Sequence, residues 1–425
     1  MLTIKTINNN QRSSFGQLIR THRLLQRMAL RDLSKKSMLS HTLLNRIEHA
    51  KNPITDASFT KLEQALDVNF LHDTSLNTLF EKEKKKLYDS FYYAQSHQTF
   101  DSYRILSEHE NYYMKSLKVT DYLMLKMATY IHGQQFDVND IALEVSILVD
   151  IIDLASVDSQ SKFFLLRGMY HFLLFEFNQS ISDLSKSHEL IQEERLIPMI
   201  DYFLGRSYSA QYQTNLANTY YQNALAGFEK FTNFRRLIYV RLYIAINQIK
   251  MYEYDMVSDE LYDVLKLAVR DNIAWVVHAG YIHLMYLAML QRDYYQALAI
   301  GEKITYKSMQ YYVLMTYSAY RTNNLKLAKK IIKQSSGAAP ELDAFNLYDK
   351  AMQYLKLVVL RSDEDEKNIG KILKSFYETS QMSNAFFELE LAYEVYREFL
   401  VEQRRYKEAY ALTNEMIQIV QKTIQ

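Results

Sequence analysis

The N-terminal part of the chain shows an amphipathic helical pattern. Its apolar stripe consists of Phe15, Leu18, Ile19, His22 and Leu25, three or four positions apart. Ser13-Ser14 lies directly before the stripe and can cap the first turn, because serine side chains accept hydrogen bonds from the free amides there. The pattern therefore predicts an opening helix with one buried face.

Two shorter helices are predicted next, separated by a tight turn. Leu30–Lys36 forms the first, Ser37-Met38-Leu39-Ser40 forms the turn, and His41–His49 forms the second, with Ser40 as its N-cap. The outward face of that last helix carries His41, Thr42, Asn45 and Arg46. Because all four side chains can hydrogen-bond to base edges, the pair is predicted to be a helix-turn-helix.

The composition favours helices as well. Only 9 Gly and 3 Pro occur among 425 residues, too few to turn the corners of a many-stranded β protein. The chain has no Cys, which excludes disulfide and zinc-thiolate chemistry and favours a reducing compartment, the cytoplasm. The N-terminus has no apolar leader, and no stretch approaches the roughly 18 uncharged apolar residues of a membrane span. We therefore expect an all-α protein with no membrane partner.

Charge is distributed unevenly, although the net charge is only +1. Residues 1–70 contain 11 Lys or Arg and 5 Asp or Glu, a net of +6, which leaves the remainder of the chain at −5. A small basic head on a larger acidic body is typical of a nucleic-acid-binding module joined to a second functional unit. The run EKEKKK at 81–86 interleaves both signs and is better explained as the solvated face of a linker helix, Thr78–His97.

The body of the chain repeats a short pattern with a period of about 40 residues. In each copy a large apolar residue is followed three positions later by a smaller one. The copies begin at Phe177, Leu216, Tyr254, Tyr294, Leu325 and Tyr406, with a degenerate copy near Lys367. Such a period, with two helices per unit, predicts a helical-hairpin solenoid of seven or eight repeats between Asp101 and Gln425.

One copy shows the spacing of tetratricopeptide repeats. The signature positions are occupied by Leu204, Gly205, Tyr208, Ala217, Tyr221 and Ala224, and the preceding copy repeats the offsets with Gly168, Ser180 and Leu184. Small residues are needed where two helices cross too closely for larger side chains. The predicted fold is all-α: an N-terminal helix-turn-helix domain (1–72), a linker helix (73–100) and a right-handed tetratricopeptide-like superhelical solenoid (101–425).

The first helices of such an array line a concave groove that can bind an extended peptide. Most of the 35 Tyr and 21 Phe are needed to fill the repeat core. The candidate groove residues on predicted first helices are Tyr202, Arg206, Tyr239, Asn247 and Tyr286. The Asn247 amide can hydrogen-bond both the N–H and the C=O of a bound backbone. A buried structural role, with the amide bonded to a neighbouring helix, explains Asn247 equally well.

The segment KKSMLSHTLLNRIEHAKNP resembles the helix-turn-helix of the phage-repressor (Xre) type, and FTKLEQALDVNF resembles the helix that follows it there. The resemblance spans about residues 15–70. It implies that Thr42 and Arg46 contact bases, that His41 and Asn45 flank them, and that Lys51 and Asn52 contact phosphates.

This chain departs from the Xre pattern at three places. Met38 and Asp67 stand where the family has Gly, and Ala29-Leu30 replaces a Thr-Gln pair that caps the second helix. Each departure removes a residue suited to its backbone position or to a phosphate contact. A head kept only for packing or dimerisation, with Arg46 merely solvated, is therefore the alternative interpretation.

An Xre-type helix-turn-helix followed by a long tetratricopeptide array is similar to the RNPP family of peptide-pheromone receptors, which includes Rap, NprR, PlcR and PrgX and occurs in low-GC Gram-positive bacteria and their mobile elements. The resemblance implies a homodimeric transcription factor that binds a palindromic operator in double-stranded DNA. It also implies that a short signalling peptide binds the groove, changes the pitch of the superhelix and repositions the two heads, as in quorum sensing.

Two other functions fit the sequence. A protein-interaction scaffold would bind another protein with its repeats and carry a vestigial head. A Rap-like protein would bind a response regulator through an amide or acid on the N-terminal helices, where Gln95, Gln98 and Glu108 are generic candidates. We expect no catalytic residues, metal or cofactor, since the 11 His are scattered and no H-E-x-x-H, Walker A or G-x-G-x-x-G motif occurs.

Overall fold

The computed structural model describes residues 2, 7, 11–133, 138–339, 346–360 and 366–424. These residues form 23 α-helices joined by turns and short 3-10 helices, and one isolated β-bridge joins Ser308 to Ala339. The all-α prediction is confirmed. The chain divides into two compact units, Met1–Leu204 and Gly205–Gln425.

The helices of the first unit are short at the N-terminus and longer beyond it. They are α1 (Arg12–Leu25), α2 (Leu30–Ser37), α3 (His41–Glu48), α4 (Asp56–Leu66), α5 (Thr74–Tyr92), α6 (Ser96–Ser107), α7 (Glu110–Met114), α8 (Val119–His132), α9 (Ala142–Ile151), α10 (Val157–Leu173) and α11 (Phe177–Leu190). Helix α12 (Ile197–Ala210) contains the division between the units.

Helices α1–α4 lie where the sequence pattern predicts helices. The Ser40 hydroxyl caps α3 by accepting a hydrogen bond from the Leu43 amide at 3.2 Å. Met38 and Asp67 adopt φ values of 55° and 51°, the left-handed conformation that Gly would enter without strain. Ser13-Ser14 does not cap α1, because the helix begins earlier, at Arg12, and its N-cap residue makes no side-chain bond.

The predicted linker helix is two helices. Helix α5 ends at Tyr92 and α6 begins at Ser96, so the helix expected over Thr78–His97 is interrupted. Ala94 has a φ of 55°, and the Gln95 amide bonds back to the Ser90 carbonyl at 2.8 Å. This left-handed ending folds α6 back onto α5, and the two form an antiparallel hairpin.

Helix α1 packs on two sets of helices at once. One side contacts α3 and α4, and the other contacts α8 and α9. The Gln17 amide donates to the Ile151 carbonyl at 3.1 Å, and the His22 ring bonds the Met114 carbonyl at 2.9 Å. The helix-turn-helix therefore shares its core with the rest of the first unit.

The second unit continues as helical hairpins. Its helices are α13 (Thr214–Lys230), α14 (Phe234–Lys250), α15 (Val257–Arg270), α16 (Ala274–Leu290), α17 (Tyr294–Gly301), α18 (Met309–Arg321), α19 (Leu325–Gln334), α20 (Leu347–Leu360), α21 (Glu366–Met382), α22 (Phe386–Glu402) and α23 (Tyr406–Ile424). None of the described helices is long and apolar enough to cross a membrane.

The repeat starts found in the sequence mark the second helix of each hairpin. Phe177, Tyr294, Leu325 and Tyr406 are the first residues of α11, α17, α19 and α23. Within the described residues, seven consecutive hairpins run from α10 to α23. The solenoid prediction is confirmed.

Gly205 shows why the tetratricopeptide spacing needs small residues. A Cβ atom at Gly205 would lie 2.6 Å from the Tyr221 ring and 3.2 Å from the Ala217 carbonyl oxygen. A Cβ atom at Gly168 would lie 2.6 Å from the Leu184 side chain. In these two hairpins the helices therefore cross too closely for a larger residue at the Gly position.

Candidate functional site

The outward face of α3 presents the residues expected to read DNA. His41, Thr42, Asn45 and Arg46 are all solvent-exposed, as is Lys51 just after the helix, while Asn52 is half-buried. Leu44, Ile47 and Glu48 are buried on the opposite face. The structure thus brings the predicted base-contacting side chains onto one surface of one helix, and their contacts with DNA stay a prediction.

A buried ion pair fixes this helix against α1. The Arg23 guanidinium donates two hydrogen bonds to the Glu48 carboxylate, at 2.7 and 2.8 Å, and a third to the Met28 carbonyl at 3.0 Å. Hydrogen bonding to Glu48 raises the pKa of Arg23, and burial opposes the shift. Sequence reasoning missed Arg23, which it had counted only as part of the head's positive charge.

Three of the groove candidates, Arg206, Tyr239 and Asn247, lie on α12 and α14 in the second unit. Tyr239 and Asn247 are on α14, two turns apart, with Tyr243 between them. The Arg206 guanidinium carbon lies 4.6 Å from the Tyr243 ring centroid, in a cation–π contact. Tyr239 is buried with its ring edge against Trp275, 4.7 Å between centroids.

Asn247 is buried between α13 and α14, with 1% of its surface exposed. Its Nδ2 donates to the Thr214 carbonyl at 2.9 Å, and its Oδ1 has no hydrogen-bond partner among the described residues. One half of the amide therefore serves the neighbouring helix. The other half is a buried acceptor, whose desolvation costs about 1–3 kcal/mol unless a donor reaches it.

The remaining two candidates, Tyr202 and Tyr286, are both buried. Tyr202 belongs to the first unit and is 2% exposed, with its ring edge against Phe203 at 5.0 Å. Tyr286, on α16, is also buried, and its hydroxyl donates to Glu388 on α22 at 2.7 Å. Whether either residue touches a peptide stays a prediction.

Tyr286 belongs to a set of tyrosines that bind the carboxylates of α22. We call Tyr252, Tyr286, Tyr317 and Tyr348 the tyrosine wall. Tyr286 and Tyr348 donate to Glu388 at 2.7 and 2.8 Å, and Tyr317 donates to Glu394 at 2.7 Å. Tyr252 donates to Glu390. Hydrogen bonds to a charged group each contribute about 1.5–3 kcal/mol, so the wall stabilises this position of α22.

Two cations lie close to these carboxylates. Arg321 donates to Glu398 at 2.9 Å and lies 3.4 Å from Glu394. Lys250 donates to the Ser209 carbonyl and hydroxyl, both at 3.1 Å. Burial lowers the pKa of Lys250 to about 8, an effect that the charge of Glu388 partly offsets.

Sequence reasoning missed the α22 carboxylates. The signal was present in FFELELAYEVYREFLVE, where Glu residues alternate with aromatic and aliphatic ones on a helix that has too few polar positions for a solvated face. Carboxylates on such a helix need buried donors. Gln95, Gln98 and Glu108, considered for response-regulator binding, are solvent-exposed on or beside α6.

The fold is known from solved structures. No protein-family profile and no curated protein sequence matches this chain. A Rap protein complexed with competence and sporulation factor has 16% sequence identity and a TM-score of 0.63, covering 82% of this chain and 99% of that one. The apo form of the quorum sensor NprR from B. thuringiensis has 15% identity and a TM-score of 0.58, covering 80% and 98%.

NprR in complex with its cognate peptide NprX gives a similar match, with 14% identity, a TM-score of 0.56, and coverage of 79% of this chain and 100% of that one. At such identities the likeness establishes the fold, a tetratricopeptide-like helical solenoid, and nothing about activity. The chain is thus similar in fold to Rap and NprR, two of the RNPP proteins that its sequence resembles.

Proposed function

We propose that this chain is a cytoplasmic, DNA-binding transcriptional regulator of the RNPP type whose activity is switched by a short signalling peptide. The observation that carries the proposal is the exposed polar face of α3, with His41, Thr42, Asn45 and Arg46 side by side. These four side chains can hydrogen-bond to base edges. Their helix is capped by Ser40 and held in place by the buried Arg23–Glu48 pair, and a helix of this kind fits the major groove. A head kept only for packing would not need them.

The peptide part of the proposal is supported by the fold. Rap complexed with competence and sporulation factor and NprR complexed with NprX share this solenoid. In this chain, the first helices of the second unit carry buried hydrogen-bonding side chains, among them Asn247 and Tyr286. A few polar groups in an apolar setting are typical of a peptide or ligand site.

Helix α1 provides a route from the repeats to DNA. Its one side holds α3 through Arg23, and its other side is bonded to Ile151 and Met114 by Gln17 and His22. A change in the packing of α8 and α9 would therefore move α1 and α3 together as one rigid body. We propose functional domains at 1–72 for DNA binding, at 73–100 as a connecting segment, and at 101–425 for peptide binding and dimerisation.

The proposal includes a homodimer on a palindromic operator. Each head offers a single recognition helix, and one such helix makes too few contacts for tight, specific binding. Two heads related by a two-fold axis would read half-sites about 34–36 Å apart, or a multiple of that distance. Light scattering of the full chain should give twice the chain mass, and a monomer at tens of micromolar with and without DNA would contradict the dimer.

The experiment that tests DNA reading is selection of bound fragments from random double-stranded DNA, followed by gel retardation at several salt concentrations. We expect a palindromic motif and a steep loss of affinity with salt, because phosphate contacts release counterions. Binding without sequence preference, or no binding at low salt, would reject the regulator and favour a scaffold.

A second candidate function is Rap-like binding of a response regulator. The observation that favours it is the α5–α6 hairpin, which presents Gln95 and Gln98 to solvent in the first unit. An exposed amide can orient a water molecule toward a phosphorylated aspartate. Incubation with a phosphorylated response regulator tests the phosphatase form of this function: phosphate loss that disappears in Gln98→Ala supports it, and an unchanged phosphorylation level excludes it. The sequestering form is excluded if the two proteins do not co-elute in size-exclusion chromatography.

A further inference from the structure

Helix α22 contacts repeats that are far from it in the array. In a solenoid each repeat touches only its neighbours. The neighbours of the α22–α23 hairpin are α20 and α21, yet Glu388 is bonded to Tyr286 on α16 and Glu394 to Tyr317 on α18. Glu390 reaches Tyr252, in the turn after α14. Helix α22 therefore lies across the first helices of earlier repeats.

The first turn of α22 is inserted like the anchor of a ligand. The Phe387 ring stacks on Tyr286 with 4.6 Å between centroids and meets His283 edge-on at 5.1 Å. Phe386 lies against Tyr252 at 5.9 Å and Tyr212 at 6.2 Å. Two aromatic side chains thus pack against aromatic rings of earlier repeats, and the carboxylates that follow them accept hydrogen bonds from tyrosine hydroxyls.

The packing of α22 against α16 leaves an open space. A cavity of about 170 Å³ lies between α16 and α22, lined by Tyr286, Met289, Phe387 and Leu391. Arg292 and Arg397 also line it, both exposed. Because exposed residues line it, the cavity opens to solvent and leaves space beside α22. Helix α22 is held both by buried apolar side chains, among them Leu389 and Val395, and by its hydrogen bonds to the tyrosine wall.

We propose that the seat of α22, the tyrosine wall with Arg321 and the Phe386 and Phe387 sites, binds an acidic aromatic peptide, and that α22 is the intramolecular occupant which this peptide displaces. The inference rests on the proposed peptide-switched function and specifies the ligand: adjacent aromatic residues followed by carboxylates. Displacement would also release the end of α23, where the Thr423 carbonyl accepts a hydrogen bond from Thr214 on α13.

The test uses the full chain and a synthetic peptide with the sequence of residues 385–402, AFFELELAYEVYREFLVE. In the wild-type protein the tethered α22 competes at high effective concentration, so the added peptide should bind weakly. The double variant Glu388→Gln, Glu394→Gln weakens only the tethered copy. Because apparent affinity rises with the fraction of open seats, calorimetry should show binding at least about tenfold tighter.

Two controls isolate the seat. Glu402→Gln changes an exposed carboxylate of α22 that makes no hydrogen bond or ion pair with the wall, and it should bind the peptide as the wild type does. A peptide with Gln in place of Glu388, Glu390 and Glu394 should bind the double variant more weakly than the original. Equal affinity of wild type and double variant for the original peptide, including no binding by either, would overturn the proposal.

A second measurement needs no variant. Amide hydrogen exchange of the wild-type protein should show α22 exchanging faster than α16 and α18, because the occupant leaves its seat without global unfolding. Exchange of α22 no faster than that of α16 would overturn the proposal even if the double variant failed to fold. Gel retardation of DNA, measured in parallel, tests the proposed function separately: absent DNA binding with a positive peptide result rejects only DNA reading.

Discussion

Arg23 on α1 and Glu48 at the end of α3 form a bidentate ion pair, with N–O distances of 2.7 and 2.8 Å, and Glu48 is 1% exposed. The pair lies on the buried side of α3, whereas Arg46 is on its exposed side. Because a bidentate guanidinium–carboxylate pair fixes both distance and orientation, it holds α3 at a defined angle to α1.

Breaking this pair should destabilise the head strongly. Arg23→Met leaves the Glu48 carboxylate buried without its partner, and we expect a loss of about 3–5 kcal/mol in the free energy of unfolding, measured by chemical denaturation. The double variant Arg23→Met, Glu48→Leu should recover much of the loss. Arg31→Met, which breaks an exposed pair with Asp32, is the control and should change stability by less than about 1 kcal/mol. If the double variant loses as much stability as the two single variants together, the two residues are not energetically coupled.

Arg46 and Lys51 should contribute to DNA binding in different ways. Arg46→Ala should cost about 1–3 kcal/mol at the selected operator and relax its sequence preference, since Arg46 is predicted to contact bases. Lys51→Ala should weaken binding to all sequences alike. It should also reduce the slope of log affinity against log salt concentration by about 1. The matched control is Lys85→Ala, which also removes one positive charge, at an exposed position on α5. Identical salt slopes for the three variants would remove the phosphate role from Lys51.

The positions of helices α2–α4 and of the hairpins were accessible from sequence because their determinants are local. The Ser40 cap acts within three residues, and Gly205 meets Tyr221 within one repeat. The seat of α22 was not accessible, since Tyr286 and Glu388 are 102 positions apart. A contact of that separation depends on how successive hairpins are rotated, and no residue pattern in either helix encodes the rotation.

Gly205 should be intolerant of even one added methyl group. Gly205→Ala places a Cβ atom 2.6 Å from the ring of Tyr221, which is fully buried and cannot turn away. We expect a loss of about 1–3 kcal/mol from overpacking, seen as a lower thermal midpoint. Gly337→Ala meets nothing within 4 Å and should be within about 0.5 kcal/mol of wild type. Equal midpoints for the two variants would show that the hairpin adjusts its crossing.

Asn247 should distinguish a peptide contact from a structural one. Asn247→Ala removes the donor to the Thr214 carbonyl and the buried Oδ1 acceptor. If a peptide N–H reaches Oδ1, the variant loses at least about 1 kcal/mol of peptide affinity in calorimetry and keeps DNA binding by the free protein. The probes are the short peptides encoded next to the gene, and exposed Asn215→Ala on α13 is the control. Normal peptide affinity, or unfolding of the variant, would assign Asn247 to the core.

Lys250 should make stability depend on pH in an unusual direction. Its pKa is lowered to about 8 by burial, whereas a lysine in the unfolded chain titrates near 10.4. Between these values the unfolded state binds more protons than the folded state, so stability rises with pH across the window. Below pH 8 both states are charged and the full cost of burying the ammonium group is present.

The variant Lys250→Met should remove that dependence. The thermal midpoint of the wild type, measured relative to Lys250→Met, should increase from pH 7 to pH 9.5, because only the wild type loses a buried charge over this interval. Lys266→Met is the matched control, since the Lys266 side chain is 77% exposed and its relative midpoint should stay constant. A constant difference between wild type and Lys250→Met at both pH values would mean that Lys250 remains solvated, and that its contacts with Ser209 come without a desolvation cost.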